Sequence, residues 1–124
     1  MDFEITKESS GFNQALFKVT HGLYILTAKK DEKINGQCLD ALMQVTNRPP
    51  RIAIGVGKRS LTHEMILATG KFTVNVIDRE CIKCYDFVKH FGFQSGRKVD
   101  KFASVEFVVG ENGLPILPDA LAFY

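Results

Sequence analysis

The apolar residues of this chain come in short runs. The longest, such as LYILTA (23–28) and RIAIGV (51–56), fall far short of the roughly 20 residues that a membrane-spanning helix requires. Runs of this length, rich in β-branched and aromatic residues, suit strands buried in a small soluble domain. With 124 residues, 45% of them hydrophobic and 24% charged, the chain is long enough for one core and too short for two. Residues 1–124 are therefore read as a single domain.

Sixteen Lys and Arg against fourteen Asp and Glu leave a formal charge of +2, too slight to argue for a nucleic-acid surface. A bound anion of modest charge suits this balance better. The opening MDFEITKESS lacks the basic start and apolar run of a signal peptide, and three cysteines do not make a secreted disulfide framework. Both features predict a cytoplasmic protein with no membrane segment.

Along the chain, Ser9 or Ser10 is expected to cap a short helix that places Phe12, Ala15, Leu16 and Val19 at helical spacing. The strand LYILTA and the polar loop KKDEKING follow. Asn35-Gly36, a dipeptide tolerant of positive φ, is expected to reverse the chain so that QCLDALMQV returns antiparallel. Pro49-Pro50 stiffens the connection to the strand RIAIGV. Ser60 is expected to cap the helix LTHEMILAT, which Gly70 ends. The strand FTVNVI comes next, then a third helix through RECIKCYDFVKHF, expected to be capped by Asp78. The loop GFQSGRKVDKF leads to the strand VEFVVG and the closing NGLPILPDALAFY. Several strands, three short helices and no βαβ rhythm predict a mainly β fold, an antiparallel sheet or barrel with helices packed at its ends.

Two segments offer the small polar residues and accessible backbone that a bound anion would need, NGQCLDALMQVTNRPP and GKRSLTHE. The second joins Lys58, Arg59, Ser60 and Thr62 to a helix start, where free N–H groups and the helix dipole favour negative charge. A plainer reading has Ser60 capping the helix and the two basic residues solvated. The residues alone leave both readings open.

From about Phe12 to Ala122 the chain resembles the flavin reductase-like family of FMN-binding split barrels. The marks are Gly22 before the first strand, NGQ, QVTNRPPRIAIGV, KRSLTHEMI, GKFTVNVI and SGRKVDKF, in that order. The resemblance implies an antiparallel split β-barrel with short helices. It also implies a homodimer with FMN (FAD as the other possibility) bound non-covalently near the subunit interface. Carried over, Gln37, Cys38, Leu39, Asp40, Ala41 and Leu42 would line the flavin, and Lys58, Ser60 and Thr62 would face its phosphate. Ser95, Gly96, Arg97 and Lys101 would approach the flavin and the nicotinamide pocket from the same or the neighbouring subunit. Two departures stand out. Asp40 and Ala41 occupy positions where many relatives have small hydroxyl or amide residues, and the chain stops at Tyr124 where similar proteins continue with further strands, as a truncated form would.

Cys81 and Cys84 have a redox or zinc spacing, but a second ligand pair is missing, so no metal site is expected. On a helix they share a face with Tyr85, Val88 and Phe91, which describes a packing stripe; a reversible dithiol is the other reading. His21, His63 and His90 show no partner pattern, and a surface or capping role is expected. Hydride transfer to a flavin needs orientation more than a protein acid or base, so no catalytic side chain is named. The function implied is an NAD(P)H-dependent oxidoreductase of flavin reductase type, passing electrons through bound flavin to free flavin, ferric iron or a redox protein. The alternatives are a non-enzymatic FMN electron carrier and a split barrel that binds another ligand after losing flavin.

Overall fold

The computed structural model describes residues 9–80 and 83–124. Helix α1 (Ser9–Leu16) precedes strands β1 (Tyr24–Lys30), β2 (Lys33–Leu39), β3 (Leu42–Thr46) and β4 (Arg51–Ile54). Helix α2 (Leu61–Thr69), strand β5 (Thr73–Val76) and helix α3 (Cys84–Gly92) follow, then the short strands β6 (Val108–Val109), β7 (Pro115–Ile116) and β8 (Ala122–Phe123).

Every strand pairing is antiparallel. The main sheet has the order β2-β1-β5-β8, and β3-β4 and β6-β7 form separate two-stranded sheets. The expected mainly β architecture with short helices is present. The barrel is not closed: among the described residues the strands make three sheets rather than one continuous ring.

Strand β1 organises the interior because both of its faces are buried. Ile25, Leu26, Thr27 and Ala28 are all fully buried, and side chains alternate across a strand. Ile25 packs with Ile77, Phe91, Phe102 and Leu117, whereas Leu26 packs with Leu39 and Val74. Helix α2 lies against β1, with Ile66 joining the Leu26 cluster, and α3 lies against β2 through Phe91 and its neighbours.

The expected turn at Asn35-Gly36 is in fact part of β2. Asn35 pairs with Ala28 and Gly36 with Thr27, and the reversal comes earlier, between Lys30 and Lys33. Asp31 there takes φ 54, a left-handed conformation that Asp tolerates better than most residues. The two turn-forming residues serve tertiary packing instead. The Asn35 side chain is buried and donates from Nδ2 to Thr62 Oγ1 at 3.0 Å. A Cβ on Gly36 would sit 3.0 Å from the Phe91 ring, so glycine is what lets α3 close on the strand. The segment QCLDALMQV is correspondingly divided between β2 and β3 by Asp40 and Ala41.

Helix α2 follows its sequence signals. Ser60 caps it by accepting from the His63 N–H at 3.1 Å, and Gly70 ends it at φ 70. Helix α3 does not. Asp78 Oδ1 accepts from the Glu80 N–H at 2.9 Å in a local turn, and α3 starts at Cys84 behind Lys83, which supplies no side-chain cap. The expected stripe on α3 is partly different as well. Cys84, Phe87 and Phe91 pack inward, while Tyr85 is exposed with the Lys89 ammonium 5.0 Å from its ring centroid. Cys81 lies outside the described residues, as does the Phe12 side chain. Leu16 and Val19 at the end of α1 are exposed rather than packed.

Asn75 couples the main sheet to the C-terminal segment. This fully buried amide donates to Ile25 O at 3.1 Å and accepts from the Leu117 N–H at 2.9 Å. Asn75→Ala orphans a buried donor and a buried acceptor, each costly in the absence of water. The expected loss is about 3 kcal/mol of unfolding free energy in urea titrations. A loss below 1 kcal/mol would show that the site relaxes to readmit a partner.

Candidate functional site

Strand β2 has β1 on one side and, among the described residues, no strand on the other. An edge strand leaves outward backbone groups without ladder partners. A cleft of about 540 Å³ lies there. Asn35, Gln37 and Cys38 of β2 form its floor, Arg59, Ser60 and Leu61 at the start of α2 one wall, and Phe91 to Gly96 with Lys101 the other.

At the α2 wall, the Ser60 hydroxyl is already used twice, accepting from His63 N–H and donating to Gly57 O at 3.0 Å. The capping role expected for it is therefore real. By helix geometry the N–H groups of Leu61 and Thr62 in the first turn have no intrahelical acceptor, and Arg59, two residues before the helix, lines the same wall. This wall is suited to an anion.

The opposite wall is held by a set of cross-links. Lys33 Nζ donates to Gly96 O at 3.0 Å, and Arg97 forms an ion pair with Glu64 at 3.0 Å while reaching Arg59 O at 3.4 Å. A Cβ on Gly96 would overlap the Asn35 amide, so this loop approaches β2 more closely than any other residue would permit. Lys101 is buried, and its Nζ donates to Gly36 O at 2.8 Å and to Phe91 O at 2.9 Å. His90 Nε2 hydrogen-bonds Lys101 O. A carbonyl can only accept, so that nitrogen carries the proton, and Nδ1 is left to accept from Gln94 Nε2 at 3.2 Å.

Of the positions singled out in the sequence, Gln37, Cys38, Ser60, Ser95, Gly96 and Lys101 line this cleft, all from one chain. Leu39, Asp40, Ala41, Leu42, Lys58, Thr62 and Arg97 do not. Leu39 and Thr62 are buried in the interior, and Thr62 is engaged by Asn35. Asp40, Ala41 and Lys58 are exposed and do not line the cleft. Leu42 packs beside the Leu26 cluster, and Arg97 is committed to Glu64. Arg59, singled out with the helix start as a candidate for an anion, also lines the cleft, whereas sequence reasoning missed Asn35, Leu61 and Phe91 to Gln94 as lining residues. Asn35 looked like a turn residue, and the HFGFQ run carried no spacing signal. Among the described residues no group of three or more His, Cys, Asp or Glu side chains could hold a metal ion.

A profile described as the flavin reductase like domain matches residues 16–124. The chain belongs to the flavin reductase-like family. It is 43% identical over 111 residues to a high molecular weight rubredoxin of Moorella thermoacetica, covering 90% of this chain and 48% of that protein. It is 32% identical over 104 residues to a ferric-chelate reductase (NAD(P)H) of Archaeoglobus fulgidus, covering 84% and 60%. The chain thus spans 48% and 60% of the length of these two relatives. Among solved structures, flavoredoxin from Methanosarcina acetivorans is similar with a TM-score of 0.76 and 26% identity, over 99% of this chain and 61% of that one. The FMN-binding protein from Thermus thermophilus with bound p-hydroxybenzaldehyde shares the fold at a TM-score of 0.82 and 22% identity, over 100% and 67%. The flavin reductase-like fold is therefore present even though the strands do not close into a ring.

In this family member, Cys38 is a thiol rather than a reactive thiolate. Burial pushes its pKa above the ordinary value, opposed by the Lys101 charge and reinforced by Cys84 and Asp40. Its Sγ donates to Val88 O at 3.7 Å, which requires the proton. A pKa raised on folding stabilises the fold fully below pH 9.0, the unfolded value, and that contribution is lost as pH rises through the folded value. Lys101 runs the other way. Burial lowers its pKa, so its contribution is present above the unfolded value of 10.5 and lost as pH falls through the folded one. Cys38 should react with a thiol reagent more slowly at pH 9.0 than an unperturbed cysteine, and Lys101→Met should slow it further by removing the only lowering influence. Faster reaction in that variant would contradict the assigned balance.

Proposed function

We propose that the β2 edge cleft binds FMN without a covalent bond and that the protein passes electrons from NADH or NADPH through this flavin to an acceptor. The observation that carries the reading is the cleft itself, found in a chain of this family. Its volume of about 540 Å³ lies in the range of cofactor sites. Its two ends differ as the two ends of FMN differ. Arg59 and the first turn of α2 suit a phosphate, whereas Gln37, Cys38, Gly92 and Phe93 offer a mixed polar and apolar lining with an edge strand's backbone beside it. FAD fits the same chemistry with its adenylate outside the cleft.

In this reading the flavin supplies the hydride chemistry, and the chain's residues bind, orient and exclude water. The Lys33 and Arg97 contacts hold the Ser95 to Lys101 loop over the cleft, which fixes the distance between the two walls. Three acceptors suit such a carrier: free flavin, ferric iron and a redox protein. The relative named a ferric-chelate reductase supports ferric iron, and the 43% identity to a protein named a rubredoxin supports a redox-protein acceptor. A cytoplasmic location accords with NAD(P)H as donor. A homodimer is part of the same reading. Met43 and Val45 on β3 and Phe123 and Tyr124 at β8 are large apolar side chains left exposed on the single chain, and a second copy would cover them.

The purified protein incubated with FMN should show flavin absorbance bands and a raised melting temperature, as a ligand specific to the folded state requires. Anaerobic NADH or NADPH should bleach those bands, and the loaded protein should sediment as a dimer. Retained yellow colour with neither nucleotide able to bleach it would mean an electron carrier without a nicotinamide site. No thermal shift at FMN well above micromolar concentration would remove the flavin reading altogether.

A further inference from the structure

We propose that Lys101 sets the redox balance of this site, its buried ammonium serving as the counter-charge to the negative charge that a flavin ring gains on reduction. The inference rests on the FMN reading above and assigns a distinct role to one residue within it.

A lysine is almost never fully buried unless it is paired. Lys101 is only 3% exposed, yet its two acceptors, Gly36 O and Phe91 O, are neutral carbonyls. Among the described residues it makes no ion pair, whereas Lys30, Lys83 and Arg97 all do. The ionisable group coupled to it is Cys38, and that thiol donates its proton to Val88 O. Among the described residues the Lys101 ammonium is therefore buried, hydrogen-bonded only to neutral carbonyls and without a carboxylate partner. An ammonium has three donors, and two are used; Lys101 also lines the cleft.

The position of this charge is fixed as firmly as its partners. The two carbonyls hold Nζ from β2 and α3, and the bond from His90 Nε2 holds the Lys101 backbone, with Gln94 fixing the His90 tautomer. A rigid, unpaired cation favours whichever state of a ligand brings negative charge to it. The FMN phosphate is negative in both redox states and is served by the other wall at Arg59 and α2. The ring is neutral when oxidised. On accepting a hydride, which is two electrons and one proton, it gains one negative charge. Lys101 therefore discriminates between the redox states of the ring, a property that a phosphate ligand would lack.

The test measures the midpoint potential of bound FMN, and separately of bound riboflavin, in the native protein and in Lys101→Met, Lys101→Gln and Lys101→Arg, alongside affinity for the oxidised forms. Glutamine keeps a donor for one of the two carbonyls without the charge, so it covers the case in which methionine fails to fold. An opposite charge at close range shifts such equilibria by about tenfold or more. The preference for reduced over oxidised flavin should fall about tenfold in the uncharged variants, a shift of about 30 mV to more negative potential for a two-electron couple. Arginine should stay within about twofold of the native ratio. Riboflavin should show the same shift as FMN. Unchanged potentials in variants that still bind flavin would overturn the proposal. Equal weakening of oxidised and reduced FMN with riboflavin unaffected would also overturn it, by showing that Lys101 holds the phosphate. Native protein that binds no FMN would instead remove the reading on which the proposal stands.

Discussion

Strand β1 is buried on both faces, and the placement of nearly everything else follows from that constraint. A strand with Ile25 committed to one cluster and Leu26 to another needs cover on each side. Its two in-sheet neighbours are β2 and β5, and α2 packs directly on it, while the Phe91 and Phe102 rings fill the Ile25 side. Asn75 and Thr27 carry the polar links across this interior. Thr27 Oγ1 donates to Pro115 O at 2.8 Å, and Asn75 bridges Ile25 and Leu117, so the C-terminal segment is tied to the same strands.

The cleft is a consequence of the same arrangement. Because β2 ends the sheet, its free edge is flanked by the beginning of α2 and the end of α3, two structures with opposite needs. The start of α2 presents unsatisfied donors, and the end of α3 presents carbonyls such as Phe91 O. Arg59 adds positive charge at the first, and Lys101 answers the second. The loop carrying Ser95 to Lys101 is fastened to both sides, through Lys33 and Glu64 at one end and His90 at the other. The site is thus assembled from three segments far apart in sequence, with glycine at positions 36 and 96 because the backbones approach closely there.

Features governed by local geometry were legible in the sequence. Helix α2 with its Ser60 cap and Gly70 stop and the strands β1, β4 and β5 were readable from spacing and capping chemistry. Features governed by tertiary packing were not. Asn35-Gly36 has the composition of a turn, but Thr62 and the Phe91 ring claim these two residues for the interior, and nothing local announces that. Asp78 has the composition of a cap and instead closes its own turn onto Glu80. The site residues divide in the same way. Of the residues that the motif resemblance named, Gln37, Cys38, Ser60, Ser95, Gly96 and Lys101 line the cleft. It also drew in Thr62 and Leu39, because residues adjacent along a strand or helix point in different directions. That Lys101 has no carboxylate partner among the described residues depends on what surrounds it in space, which no linear pattern encodes.

The proposed function places the flavin in one cleft, at the β2 edge. Difference electron density from crystals soaked with FMN tests it most directly. Ring density is expected between Gln37, Cys38 and the Phe91 to Gly96 wall, with the phosphate at Arg59 and the first turn of α2. Flavin density elsewhere on the chain, with this cleft holding only solvent, would contradict it.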